Sequence, residues 1–343
     1  MKTISTILAG ICAVLVVVTG TASLFLFNVE RSAFSSEPYK RAFEKLGLYD
    51  RMPSILAASL FSSPASVNGT ENPIWALMTS QGLESGIAVI LPPADLKLMT
   101  DGALDSLFVY INGQADSALI SLVPIKNRFS GPEGVEAVLG LLQSQPACTA
   151  EQLIQITLGA LSGSGFALCN PPPEAVDLFR PLIQSQLQYT ASLLPNELPF
   201  VSADRSGTQA DPRVRLKQLR AVMRITPVVP ILLILLMTIF VVRSLKTFLT
   251  WWGLPILATG LFSFFIALVG APLIGTVIQF MIETQASQIL STILLATLRE
   301  TTSAVAREIM TPNIIQGAVL AVLGFAMSLV GFFLRRPPQL SAF

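Results

Sequence analysis

Asp101 and Asp105 stand one helical turn apart and are the nearest approach in this sequence to a catalytic or cation-binding carboxylate pair. Two carboxylates so spaced can share acid–base work or begin a cation site. No third ligand follows nearby and the rest of that helix face is polar, so the pair reads as a solvated face. Histidine is absent from all 343 residues. This removes imidazole acid–base catalysis and imidazole metal ligation. No serine is followed three positions later by lysine, which removes that nucleophile class. The expected set of catalytic, cofactor-binding and metal-binding residues is therefore empty. An enzyme working through Asp and Glu alone ranks behind the non-enzymatic readings.

Three other groups have chemistry in their spacing. Cys148 and Cys169 lie in a long segment of ordinary globular composition, while Cys12 lies within an apolar run. Outside the cytoplasm a pair of thiols is normally oxidised, so a Cys148–Cys169 disulfide is expected. The pair is not C-x-x-C, which argues against a redox catalyst. Arg213, Lys217, Arg220 and Arg224 follow i, i+4, i+7, i+11 and share one narrow arc of a helix. That stripe suits anionic headgroups or an acidic partner, or is a solvated face snorkelling at the membrane surface; the second is the simpler reading. Gly317, Ala321, Gly324, Ser328 and Gly331 recur at spacings of four and three and stack on one seam. Such seams let membrane helices approach closely, within one chain or between copies. Three other spans needing a partner surface favour the internal contact.

The elements that must position these residues follow from composition. The chain is 52% hydrophobic and 13% charged, with mean hydropathy +0.65, values of a membrane protein. Residues 4–27 contain no charge and are long enough to cross a bilayer. They read as an uncleaved anchor, since apolar character continues past the signal-peptide-like site at residues 20–22. Further spans are expected at 227–242, 251–274 and 314–334, the last capped by Thr311-Pro312. The expected fold class is an α-helical integral membrane protein with four transmembrane helices and a mainly α extracytoplasmic domain holding at most a two-stranded β element. Its divisions are an anchor at 1–27, the large domain at 28–226, spans at 227–275, an amphipathic helical segment at 276–311, and a last span with a short tail at 312–343.

Charge sets the threading. With both termini cytoplasmic, the inside segments carry Lys2, Arg243, Lys246, Arg335 and Arg336 and no acidic residue. This is the positive-inside pattern. None of the four apolar runs contains Asp, Glu, Lys or Arg, which argues against an ion-coupled transporter but not against a lipid pathway. Within the large domain, helices are expected over 37–60, broken at Gly47 and Pro53, and over 75–91, 93–112, 132–143 and 174–194. Thr149 and Gln152 form a capping box for a helix to about residue 161. Short strands are expected at 117–123, ended by Pro124, and at 198–203. On the 276–311 segment, Ile289, Ile293, Leu294, Leu298, Val305 and Ile309 are expected to form the apolar face.

The stretches Leu91-Pro92-Pro93 through Phe108-Val109-Tyr110-Ile111-Asn112-Gly113, and Val242-Arg243-Ser244-Leu245 through Trp251-Trp252-Gly253-Leu254-Pro255, resemble a group of uncharacterised bacterial membrane proteins. The resemblance implies a bacterial source and the four-span layout, and carries no function. The leading expectation is a non-enzymatic envelope protein of the plasma membrane whose extracytoplasmic domain binds a partner or organises the membrane surface. The alternative is a transporter or lipid-handling protein with a cavity between the spans. Expected partners are the lipid bilayer and an envelope protein, with a homo-oligomer left open and no nucleic acid.

Overall fold

Hydrocarbon offers no hydrogen-bond partner to a peptide group, so uncharged runs of this length fold as helices. The computed structural model describes residues 2–62, 80–143, 145–149, 151–152, 169–202, 212–242, 244–286 and 292–334. Arg243, Arg335, Arg336 and the helix expected beyond Gln152 lie outside the described residues. Four helical stretches are long and apolar enough to cross a membrane: Ile7–Ala33, Arg213–Phe240, Leu245–Met281 and Ile293–Phe333. The chain reads as a multi-pass membrane protein.

Two compact units divide it. The first comprises residues 1–42, 204–281 and 301–343; the second comprises 43–203 and 282–300. The first unit is built from α1 (Lys2–Ala33), the start of α2 (Glu37–Lys45), α9 (Pro212–Ile225), α10 (Val228–Val241) and most of α11 (Leu245–Ala286) and α12 (Thr292–Phe333). Ala9 and Cys12 pack with Met237, and Gly20 faces Pro230, so α1 and α10 run antiparallel. Gly20 also meets Thr259, while Phe25 and Val29 pack with Ala267 and Ala271, so α1 and α11 run parallel.

α11 and α12 are antiparallel and meet backbone to backbone. A Cβ on Gly317 would lie 2.7 Å from the Phe264 N, and one on Gly253 would lie 2.8 Å from the Ser328 N. Cβ atoms on Gly260 and Gly324 would collide with the Ala321 N and Leu257 N. The face carrying Gly317, Ala321, Gly324, Ser328 and Gly331 therefore lies against a second helix of the same chain. The partner residues, Gly253, Gly260 and Ala267, recur every seven positions, a period of 3.5 that keeps one seam aligned along two long helices.

These two helices depart from the sequence expectation. Each is 42 residues long, about 63 Å at 1.5 Å per residue and twice the hydrocarbon thickness. Residues 276–286 and 292–311 are therefore extensions of the spans rather than a separate amphipathic element. Pro312 does not start the last helix but lies within it, as Pro272 lies within α11. Neighbouring helices tolerate the hydrogen bond each proline removes. The apolar face expected there is met in part: Ile309 packs with Ala267 and Met310, and Leu294 and Val305 are half-buried, whereas Ile293 and Leu298 are exposed and Ile289 lies outside the described residues.

The second unit holds α3 (Leu48–Ser62), α4 (Ser80–Ile90), α5 (Pro93–Ile111), β1 (Ser117–Ser121), α6 (Val123–Ser130), α7 (Pro132–Gln143), α8 (Pro173–Leu193) and β2 (Glu197–Ser202). Gly47 adopts φ +57° and ends α2, while Gly113 at φ +72° follows α5. Only glycine takes these conformations at no steric cost. Pro53, expected to break its helix, lies inside α3. The first strand ends at Ser121, two residues short of the expected end, because Val123 and Pro124 open α6, which the sequence reading missed. β1 and β2 pair antiparallel, with an irregularity between Ala118 and Leu119. Val135, Leu139, Cys169, Phe179, Ile183 and Leu187 form the core.

Candidate functional site

The basic stripe lies on one face of α9, as its spacing requires, but that face turns toward the protein. Arg220 Nη2 and Arg224 Nε each lie 2.9 Å from Glu30 Oε1 on α1, and Glu30 is 5% exposed. The Arg220 guanidinium also sits 4.6 Å over the Phe34 ring, a cation–π contact. Met223 is buried on the same side, while Val214, Leu219, Val222 and Ile225 are exposed on the other.

The inversion has a geometric cause. α10 has 14 residues, about 21 Å against the roughly 30 Å of hydrocarbon, so the end of α9 must complete the crossing. Apolar residues then face lipid and charges need a protein partner. Arg220, 14% exposed, departs from a simple solvated face, whereas Arg224 pairs with Glu30 from an exposed position and Lys217 is exposed. Glu30 also extends the charge inventory of the first span. The sequence reading ended that span at residue 27, whereas the helix continues to Ala33.

Two residues before Glu30, an amide cluster joins α1 to α12. Asn28 Nδ2 donates within 3.0 Å of Leu24 O, 2.9 Å of Asn313 Oδ1 and 2.8 Å of Gln316 Oε1. Asn28 and Asn313 are both buried. Further out along α12, Arg41 Nε donates to Glu308 Oε2 at 3.4 Å. Buried polar atoms without a hydrogen-bond partner among the described residues are Thr21 Oγ1, Thr259 Oγ1, Ser263 Oγ, Asn313 Nδ2 and Ser328 Oγ. The opposite end of this unit is apolar, with Ala9, Cys12, Met237, Trp251 and Trp252 in one cluster.

In the second unit Cys148 and Cys169 are disulfide-bonded with a Cα–Cα distance of 4.9 Å, and Cys12 is free and buried. The backbone helps position the bond: Cys148 N donates to Asn170 O at 3.0 Å, and Asn170 N to Pro146 O at 2.8 Å. Thr149 and Gln152 form the reciprocal capping box, at 2.9 and 3.3 Å. Cys169 joins the apolar core, so the bond ties the chain between α7 and α8 to their packed faces.

Asp101 does not face water with Asp105 as a simple polar pair. It accepts from the Tyr49 hydroxyl at 2.8 Å. Burial first, then this carboxylate, pushes the Tyr49 hydroxyl well above its ordinary pKa, so it remains protonated. Among the described residues, no group of three His, Cys, Asp or Glu side chains could hold a metal ion.

One surface of the second unit was not legible in the sequence. α8 buries Phe179, Ile183, Leu187 and Ala191 yet also exposes Leu178, Tyr189 and Leu193. The exposed three share a face at helical spacing, with Leu178 72% and Tyr189 62% exposed. The chain then enters β2, where Leu198 and Phe200 are exposed too. A second apolar stripe on a helix already anchored by one was the available signal.

No protein-family model, curated protein or solved structure matches the chain.

Proposed function

We propose that this is a non-enzymatic, membrane-anchored envelope protein whose second unit binds a protein partner through the α8 and β2 surface. The observation that carries the reading is the exposed run from Leu178 through Tyr189 and Leu193 to Leu198 and Phe200. Leu178, Tyr189 and Leu193 share one face of α8, and exposed apolar groups grouped in this way mark interaction surfaces. β2 pairs with β1 on one edge among the described residues, and a strand edge is a template for an extended segment of another chain. The partner is therefore expected to present an extended apolar segment. A photocrosslinking residue at Phe200, used in native membranes, tests this. A single protein adduct that disappears in Leu193→Asp supports the assignment; crosslinking no stronger than from exposed Glu84 on α4 overturns it.

The reading places this unit on the extracytoplasmic side of the plasma membrane and both termini in the cytoplasm. Supporting it are the basic residues of the short segments and a disulfide, which persists in oxidising compartments. In a Cys12→Ala background, Ser185→Cys should react with an impermeant thiol reagent on intact cells and Ser244→Cys should not. The reverse pattern would invert the threading.

A specific feature favours the lipid-handling alternative. A groove of about 510 Å³ runs along α1 and α11, lined by Val17, Val18, Thr21, Phe25, Phe262 and Ile266. An apolar cleft of that size accommodates an acyl chain or a similar hydrocarbon. Ala22→Trp would fill it. Loss of co-purifying lipid in this variant, with the Phe200 crosslink retained, would favour this reading over partner binding.

A further inference from the structure

The unpartnered polar atoms of the first unit are not scattered. Thr259 and Ser263 are one turn apart on α11, and Thr21 and Asn28 are two turns apart on α1. Asn313 and Gln316 lie one turn apart on α12. Contacts already described fix their levels. Gly20 meets Thr259, Phe264 meets Gly317, and Asn28 bonds both Asn313 and Gln316. The six side chains therefore line the junction of α1, α11 and α12, from about the middle of the spans to the Asn28 end. Thr21, Thr259, Ser263 and Asn313 are each more than nine-tenths buried, and each has a polar atom with no partner among the described residues. Ser328 lies about four turns from Asn313 along α12, on the glycine seam, and is not part of this row.

We propose that this half of the junction is hydrated, holding a short file of water molecules that ends near the membrane midplane. The chemistry selects water. Three of the groups are hydroxyls that both donate and accept, and the fourth is an amide donor. A bound cation would satisfy oxygens but not Asn313 Nδ2, and an apolar ligand would satisfy none of them. A buried water needs two to four polar partners, which closely spaced groups along one junction provide. Beyond Thr259, α1, α10 and α11 pack through Ala9, Cys12, Met237, Trp251 and Trp252, and α11 meets α12 backbone to backbone at Gly260 and Gly253, so the file is closed at that end. The result is a one-sided aqueous inlet, entered past Asn28 beneath the Glu30–Arg220–Arg224 cluster. This inference does not depend on what the second unit binds.

Two methionines make the test internal to the unaltered protein. Met310 is 1% exposed and packs with Ala267 one turn from Asn313, whereas Met237 is 0% exposed and packs in the apolar cluster. Hydroxyl radicals generated by X-ray radiolysis form from internal water and oxidise the nearest sulfur. In the full chain in lipid nanodiscs, Met310 should oxidise severalfold faster than Met237. Equal rates, or a slower rate at Met310, would overturn the hydrated inlet. The double variant Ser263→Ala, Asn313→Leu distinguishes internal water from bulk leakage. It should bring the Met310 rate down to that of Met237, and an unchanged Met310 rate in the folded variant counts against the proposal.

Discussion

The α11–α12 seam and the core between α7 and α8 solve the same problem, helix on helix, with opposite materials. The seam brings Gly253, Gly260, Gly317 and Gly324 against the facing backbone. The core interlocks Val135, Leu139, Phe179, Ile183 and Leu187 and adds a disulfide beside them. In lipid, burying a large apolar side chain gains little over leaving it among acyl chains, so attraction comes from backbone proximity. In water, removal of apolar area is the driving force, at roughly 25 cal/mol per Å². A seam of this kind is sensitive to added atoms, and a core of this kind to lost ones.

The most direct way to break this contrast is Gly324→Leu. Its Cβ already collides with backbone rather than with a side chain that can rotate away. The expected loss is about 3 kcal/mol or more, the upper part of the overpacking range. Thermal unfolding in nanodiscs should show it clearly, with Gly270→Ala as the control, since a Cβ there meets nothing within 4 Å. Equal stability of the two variants would show that the seam is not close-packed.

Opening the disulfide comes next in size. With Cys148 and Cys169 at a sequence separation of 21, the chain-entropy model gives a loss of about 3 kcal/mol on reduction. Cys169→Ser should therefore lower the unfolding midpoint of the second unit and abolish its response to reductant. A wild-type midpoint insensitive to reductant would contradict the stabilising role.

A paired comparison sharpens the point at the level of a single carbon. Ile183→Val removes one carbon from the core, for an expected loss of about 1 kcal/mol. Gly324→Ala adds one to the seam and should lose more, because two helix backbones must separate. If the core variant proves the worse of the two, the lipid-versus-water account of the packing fails. The smallest effect is expected from Tyr49→Phe, which removes the hydrogen bond to Asp101 at about 1 kcal/mol or less. A neutral result would mean that Asp101 is equally satisfied by water.

The contrast also explains what could be read from the sequence. The short strands, the Thr149–Gln152 capping box and the Cys148–Cys169 pair depend on local chemistry, and residue type at fixed spacing specifies them. Pro53 and Pro312 misled because proline breaks an isolated helix, while a helix held by tertiary neighbours tolerates it. The basic stripe shows a deeper limit. Periodicity says which residues share a face, not which way the face points. Arg220 turns inward to Glu30, a residue separated from it by most of the second unit's sequence, while Arg224 reaches the same carboxylate from an exposed position. Gly253 and Gly260 went unremarked because seven-residue glycine spacing acquires meaning only once the partner helix is known.

The interrupted path of the chain has a consequence for biogenesis. Residues 43–203 leave the ribosome long before residues 282–300, yet both belong to the second unit, and Arg51 pairs with Glu300 across that gap at 2.9 Å. The first unit waits longer still. Asn28 and Arg41, made early, meet Asn313 and Glu308 only when the last helix emerges. Synthesis proceeds from the N-terminus, so neither unit can be completed by its first segment alone. A nascent chain released after residue 281 would leave Arg51, Arg41 and Asn28 without these partners, giving quality-control proteases a chemical means of recognising an unfinished molecule.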